Sequence, residues 1–294
     1  MKVQIQKLEK LKRAITVDIE ISEFKEERDA AYKEIGKTIK VSGFRPGTAP
    51  LDILEKNHGE YLKEKFLEKA LPQIYTKALE SENLVPASLP RIYDVVYDKE
   101  RLKFCAEFEV KPIVDVQDKD YKGIKISEKI PEVKDDELEK VITNIKENIT
   151  KTISKDVGDE ELAHWAGYAS IGALRSAVTT ELLLQKLHER TRKLNQLITQ
   201  HLLKAVKFEV PRAEVERHHK ELIEREVYNL RSRGVSEADI EKYKKDIDQK
   251  LQPVADDDVR LFYILETIAR KENLKIENNL GEMVLGLLLS QANY

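Results

Sequence analysis

The sequence predicts an α+β N-terminal domain, an antiparallel sheet with helices, followed by an all-α, extended helical domain. Three observations predict it. Two stretches in the first 112 residues alternate apolar and polar side chains with period two, the pattern of half-buried strands. Beyond residue 133 the apolar period becomes 3.6. Of the 294 residues, 36% are charged and 6% aromatic, against roughly 25% charged in ordinary globular domains. Such a chain has much surface per residue, as long helices do.

In residues 15–21, Ile15, Val17, Ile19 and Ile21 share one face, and Thr16, Asp18 and Glu20 the other. Ser22 stands where a helix N-cap is wanted, with Glu23 and Glu26 at the positive end of the helix dipole. Phe24, Ala31, Ile35 and Ile39 mark the buried face of that helix. Residues 41–50, VSGFRPGTAP, must bend, because glycine reaches φ > 0 and proline fixes φ near about −65°. Residues 51–82 read as one or two further helices, interrupted near Asn57, His58 and Gly59.

A short strand over 91–98 precedes a longer one, in which Leu102, Phe104, Ala106, Phe108 and Val110 alternate with Lys103, Cys105, Glu107 and Glu109. Strand, helices and hairpin make a sheet covered on one face. Lys111 and Pro112 end this domain, 1–112. Residues 113–133 form a connector with an extended piece at 123–126, and 134–294 form the helical domain.

There Leu138, Val141, Ile142, Ile145 and Ile149 line a helix over Asp135–Ile153. A long helical run over 174–206 carries Leu183, Leu187, Leu194, Ile198 and Leu202 on one face. Another helix follows Pro211 over 212–233, and Leu261, Ile264, Leu265 and Ile268 mark one that starts after Pro253.

Composition excludes several function classes. Net charge is −3, with +1 on residues 1–112 and −4 on 113–294, so neither half has a general electrostatic attraction to nucleic acid. Cys105 is the single cysteine, which rules out an intrachain disulfide framework and fits a reducing compartment. Its place in an alternating strand reads as structural. The opening MKVQIQKLEKLKRAI lacks the apolar core of a signal peptide, and no run approaches the roughly 18 apolar residues of a membrane span. A cytoplasmic location is expected.

No phosphate-binding GxxxxGK[ST], GxGxxG or GxSxG motif occurs. His218 and His219 are adjacent and point about 100° apart on a helix, so they make no i, i+4 metal pair. Asp256, Asp257 and Asp258 lack the alternating ligands and central glycine of a calcium loop, and read as an acidic helix N-terminus. Neither cofactor nor metal is expected. Trp165, among small residues, reads as a helix-docking core side chain. The leucine stripes of the second half read as core in part and in part as shallow apolar surface that can hold other chains.

The loop at 41–50 is the one unusual constellation. From Ile35 to Leu51 there is no acidic residue, while Lys37, Lys40 and Arg45 are basic. Phe44 between glycine and arginine can enter a crevice while the guanidinium grips a carboxylate or phosphate. The segment GFRPGTAP resembles the ribosome-docking signature of the trigger factor family, usually GFRxGKxP. LVPASLPRIYDVVYDKERLKFCAEFEVKPIVDV resembles the end of that family's N-terminal domain. GYASIGALRSAV, FEVPRAEVERHHKELI and VRLFYILETIARKENLKI resemble its helical C-terminal domain, in the family's order.

The resemblance implies an ATP-independent chaperone that docks near the ribosomal exit tunnel and holds nascent or unfolded polypeptide. Its partners would be the large ribosomal subunit, protein and rRNA near the tunnel exit, and unfolded chains; neither DNA nor membrane is implied, and homodimerisation is left open. Carried over, Gly43, Phe44, Arg45, Gly47 and Pro50 match the docking loop and Pro46 fills a variable position, with Lys37 and Lys40 as supporting charges. The contrasting reading is a helical scaffold or assembly factor that binds a folded partner.

Two departures stand out. Where the family usually inserts an FKBP-like prolyl isomerase domain, this sequence has only the polar link 154–160, so no isomerase and no enzyme activity is expected. Family members commonly continue with more helices after the position of Tyr294, so residues 283–289 are expected to lie exposed. Within the loop, Thr48 stands where the signature has lysine. Losing a charge-assisted contact costs on the order of 1 kcal/mol or more, with larger effects at low salt. Thr48→Lys is therefore expected to strengthen cosedimentation with ribosomes; equal cosedimentation of both forms at several salt concentrations would overturn this.

Overall fold

The computed structural model describes every residue except 46, 47, 99, 127, 276–278 and 293–294. Four strands, β1 (Lys2–Lys7), β2 (Lys12–Glu20), β3 (Arg91–Tyr97) and β4 (Arg101–Glu109), form an antiparallel sheet in the order β1-β2-β4-β3. The register sets Ile15 opposite Ala106, Val17 opposite Phe104 and Ile19 opposite Leu102, so the apolar halves of both central strands share one face. Phe24, just before α1 (Lys25–Gly36), and helices α1 and α2 (Leu51–Ser81) supply the side chains packed with it, among them Ile35, Leu54, Leu62, Phe66 and Ile74. Alternation in the strands thus becomes one continuous core.

Two local features differ from expectation. Ser22 caps no helix: Ile21–Glu23 form a 3-10 turn, and the Ser22 hydroxyl donates to Glu20 at 3.3 Å. Ile21 is still tied to the strands through its N–H to the Glu100 carbonyl, so α1 begins only after Phe24. β1 is an additional strand with no counterpart in the sequence reading. The interruption near His58 is present as a break in helical geometry (φ −137°, ψ 25°) inside α2.

By internal contacts the chain divides into two compact units, Met1–Ile113 with Phe208–Arg260, and Val114–Lys207 with Leu261–Tyr294. In the first, helix α7 (Arg212–Ser232) follows Pro211, which offers no side-chain cap. The cap comes from the end of β4: Glu109, a buried carboxylate only 6% exposed, accepts the Ala213 N–H at 2.8 Å. A carboxylate there satisfies an orphan donor and lies at the positive end of the dipole. Helix α8 (Glu237–Lys271) runs through Pro253 without starting there, so Asp256–258 are interior helix residues and not an N-terminus. Asp256 pairs with Arg260 one turn on, and Asp258 meets His218 of α7 at 2.9 Å.

In the second unit α4 (Asp135–Ile153), α5 (Asp159–Trp165) and α6 (Ile171–Ala205) bury Ile142, Val157, Leu162 and Leu174 together. The connector is packed: Val116, Tyr121, Ile124 and Ile126 are buried, with a short helix α3 (Asp118–Tyr121). Tyr121, its hydroxyl pushed up to about 12 by burial and by the Glu272 carboxylate, donates to that carboxylate at 2.6 Å. This hydrogen bond, with Lys122 at 3.1 Å, holds Glu272 below the usual carboxylate range. Helix α9 (Leu280–Ser290) buries Leu280, Val284 and Leu288, so residues 283–289 are half-buried or buried apart from Gly286, contrary to the exposure expected.

Glu109→Ala leaves the Ala213 N–H unpaired in a buried place, and is expected to cost about 1–3 kcal/mol in urea unfolding. Glu109→Gln keeps an acceptor and loses only the charge–dipole part, about 0.3–1 kcal/mol. Equal unfolding midpoints for Glu109→Ala and wild type would show that the cap contributes nothing.

Candidate functional site

The candidate docking loop joins α1 to α2, and its two flanks are tied into the core. Val41 is buried, while Ile39, Ala49 and Leu51 are half-buried against the same core as the sheet. At Gly36, the last residue of α1, an added Cβ would lie 2.7 Å from Leu54 Cδ1, so glycine permits the close approach of the two helices beneath the loop. Thr38 turns the chain out of α1: its hydroxyl and its N–H both donate to the Ile35 carbonyl, the hydroxyl at 2.7 Å.

The Phe44 N–H donates to the Val41 carbonyl at 3.1 Å, closing a turn whose third residue, Gly43, has φ +86°. That left-handed position is the one type II turns give to glycine. Open space surrounds the place where a Gly43 side chain would be, so its demand is purely conformational. Beyond the turn, Phe44 is 40% exposed and makes no ring contact among the described residues. Lys37, Lys40 and Arg45 are all exposed and make no ion pair among the described residues. An aromatic ring and cations without internal partners can meet an apolar crevice and an anionic surface together.

Thr48 donates twice to the Arg45 carbonyl, from its N–H at 3.0 Å and from its hydroxyl at 2.7 Å. The hydroxyl therefore has an internal role that the sequence did not reveal. A lysine at this position adds charge but leaves Arg45 with the N–H alone. Pro50 immediately precedes α2, its carbonyl accepting from the N–H groups of Ile53 and Leu54. Pro46 and Gly47 lie outside the described residues.

Elsewhere the sequence expectations meet mixed outcomes. Of the stripe on α6, Leu194, Ile198 and Leu202 are buried, but Leu183 and Leu187 are exposed, with Leu184 beside them at 46%. Trp165 is not core: it is 61% exposed at the end of α5, over a shallow concavity with Ile153, Lys155, Glu160, Glu161 and His164. Small neighbours let the short helix turn its last residue outward, since Leu162 and Ala163 already fill the packed side. His218 and His219 face Asp258 and Asp248 separately, and no group of three metal-binding side chains occurs among the described residues. No helix among them is long and apolar enough to cross a membrane.

The family description "Bacterial trigger factor protein (TF)" matches residues 1–145, and "Bacterial trigger factor protein (TF) C-terminus" matches 170–284. Residues 146–169 between them comprise the end of α4, turns and α5, with no strand. The chain is 33% identical over 155 residues to the trigger factor of Streptomyces avermitilis, covering 52% of this chain and 33% of that one. It is 29% identical over 156 residues to that of Anaeromyxobacter dehalogenans, covering 52% and 36%. For the Geobacillus sp. WCH70 protein the figures are 33% over 163 residues, covering 55% and 38%.

The chain thus spans about a third of the length of the curated relatives it matches. A solved structure, from work on promiscuous substrate recognition in folding and assembly activities of the trigger factor chaperone, matches with a TM-score of 0.55. It covers 99% of this chain and 100% of that one, and at 13% identity the likeness is one of fold. With the family's N-terminal and C-terminal descriptions matched in order along most of the sequence, the chain belongs to the trigger factor family.

Proposed function

We propose that this chain is an ATP-independent chaperone that docks at the nascent-chain exit of the large ribosomal subunit and holds unfolded polypeptide. One observation carries the reading: in a chain of this family, Phe44 and Arg45 stand exposed on a loop whose flanks are buried. Gly43, Phe44, Arg45, Pro46, Gly47 and Pro50 form the docking loop in this reading, with Lys37 and Lys40 adding positive charge toward rRNA.

Docking belongs to residues 1–112 and holding to the helical region 134–294, joined through 113–133. Exposed Leu183, Leu184 and Leu187 support the holding role, since shallow apolar contact suits weak binding of many sequences. The protein works in the cytoplasm, requires no cofactor and has no prolyl isomerase activity. A scaffold that binds one folded partner is the second reading, favoured by Thr48 in place of the signature lysine. It is separated from the first by whether the protein suppresses aggregation of an unrelated unfolded protein.

Phe44→Ala/Arg45→Ala is expected to weaken cosedimentation with ribosomes about 10–100-fold, with unchanged circular dichroism, because an aromatic and an arginine at a docking tip are typical hot spots. Undiminished cosedimentation would overturn the docking role. Gly43→Ala tests presentation separately. Forcing a side chain into φ +86° costs about 1–2 kcal/mol, so it is expected to lower both stability and ribosome affinity while every contact group remains. Affinity equal to wild type would show that the turn does not set the position of Phe44.

A further inference from the structure

The same device closes the connection between α1 and α2 at both ends. At its entry Thr38 donates twice to the Ile35 carbonyl, from its hydroxyl at 2.7 Å and its N–H at 3.0 Å. At its exit Thr48 donates twice to the Arg45 carbonyl, again at 2.7 Å and 3.0 Å. The two carbonyls differ in setting. Ile35 is buried, so the core already fixes its place. Arg45 is exposed, and among the described residues its hydrogen bonds all come from Thr48.

The two donors of Thr48 are not equivalent. Every residue except proline keeps the N–H, whereas the hydroxyl belongs to threonine and serine. Two donors on one carbonyl hold its plane, and with it ψ of Arg45, more firmly than one. Arg45 then has side-chain torsions left to lose on docking but little backbone freedom. This hydrogen bond is short-ranged and joins uncharged groups, so salt does not weaken it. A lysine at 48 acts instead as a point charge, which salt screens.

We propose that Thr48 is a positioning residue for Arg45, and that it makes docking depend on loop geometry in place of one charge. The complex then withstands salt at which a lysine-bearing loop lets go. This inference rests on the docking role proposed above. Lys37, Lys40 and Arg45 still supply salt-dependent attraction, less the share of one cation.

The test compares wild type with Thr48→Val, Thr48→Ser and Thr48→Lys by ribosome cosedimentation from about 50 to 500 mM salt. Thr48→Val keeps the shape and the N–H, and is expected to bind about three- to tenfold more weakly at every salt concentration. Its slope of log affinity against log salt stays that of wild type. Thr48→Ser regains the hydroxyl and is expected to fall within about twofold of wild type. Thr48→Lys is expected to steepen the slope by about one, binding tighter than wild type at low salt and more weakly at high salt. Amide hydrogen exchange over residues 44–51 of the free proteins separates positioning from direct contact. The Val and Lys forms are expected to exchange faster there than wild type, and the Ser form is not. The proposal is overturned by Thr48→Val binding like wild type, by Thr48→Lys staying tighter over the whole salt range, or by unchanged exchange. Phe44→Ala/Arg45→Ala, run alongside, tells which idea fails. If that double variant binds like wild type, docking itself falls; if it binds weakly while Thr48→Val does not, only the role of Thr48 falls.

Discussion

Phe66 lies at the centre of the N-terminal packing. Its ring stacks on Phe24 at 5.9 Å and 12°, takes an edge contact from Tyr32 at 5.8 Å, and tilts against Tyr97 at the end of β3. One residue of α2 thus joins the entry to α1, the middle of α1 and an edge of the sheet. Such contacts add about 0.5–1.5 kcal/mol each beyond burial. The larger consequence is positional. With α1 and α2 fixed on the sheet, and Gly36 letting Leu54 close the gap between them, the ten-residue connection at 41–50 has both ends held. A loop so anchored can project Phe44 and Arg45 while the N–H groups of Phe44 and Thr48 bond within it.

Burial of Glu109 has a similar effect on a part of the chain far removed in sequence. A carboxylate away from water needs partners, and here the N-terminus of α7 supplies one. The same segment of β4 is further engaged, its Glu109 N–H donating to Ser88 and its carbonyl accepting from Ala87. Residues 208–260 are thereby counted with the sheet, although some hundred residues of chain intervene. His218 and His219 then link α7 to α8 through Asp258 and Asp248, which gives two adjacent histidines a structural use.

These particulars show what was legible in the sequence. β2 and β4 were, because strict alternation survives any packing of one face, and so was Asp135–Ile153, bounded by acidic residues and by Ser154 in left-handed geometry. The N-terminal strand was missed although KVQIQK alternates, because its charged and amide residues resemble a solvated leader. Pro253 looked like a helix start, but α8 runs through it. Periodicity could not say that the stripe on α6 is covered over one half only, since coverage depends on α3, α4, α5 and α9, which pack on α6 from other parts of the sequence. The loop was legible as a motif; the double hydrogen bond from Thr48 was not, because a hydroxyl's partner is set by backbone geometry.

The two proposed binding surfaces rest on different physics. In the loop, turns closed by Phe44 and Thr48 restrict the backbone in advance, so little conformational entropy remains to be lost on docking, and a few contacts can yield a specific complex. On α6, Leu183, Leu184 and Leu187 offer apolar area with no polar group to set orientation. Area alone discriminates poorly, since one methylene more or less changes affinity by about 1–3 kcal/mol at most. A surface that must accept many sequences needs that weakness, whereas a surface that must find one site needs the opposite. The uncovered half of α6 serves the first requirement and the rigid packing around Phe66 serves the second, so in the proposed function one chain stays at a fixed address while its cargo changes.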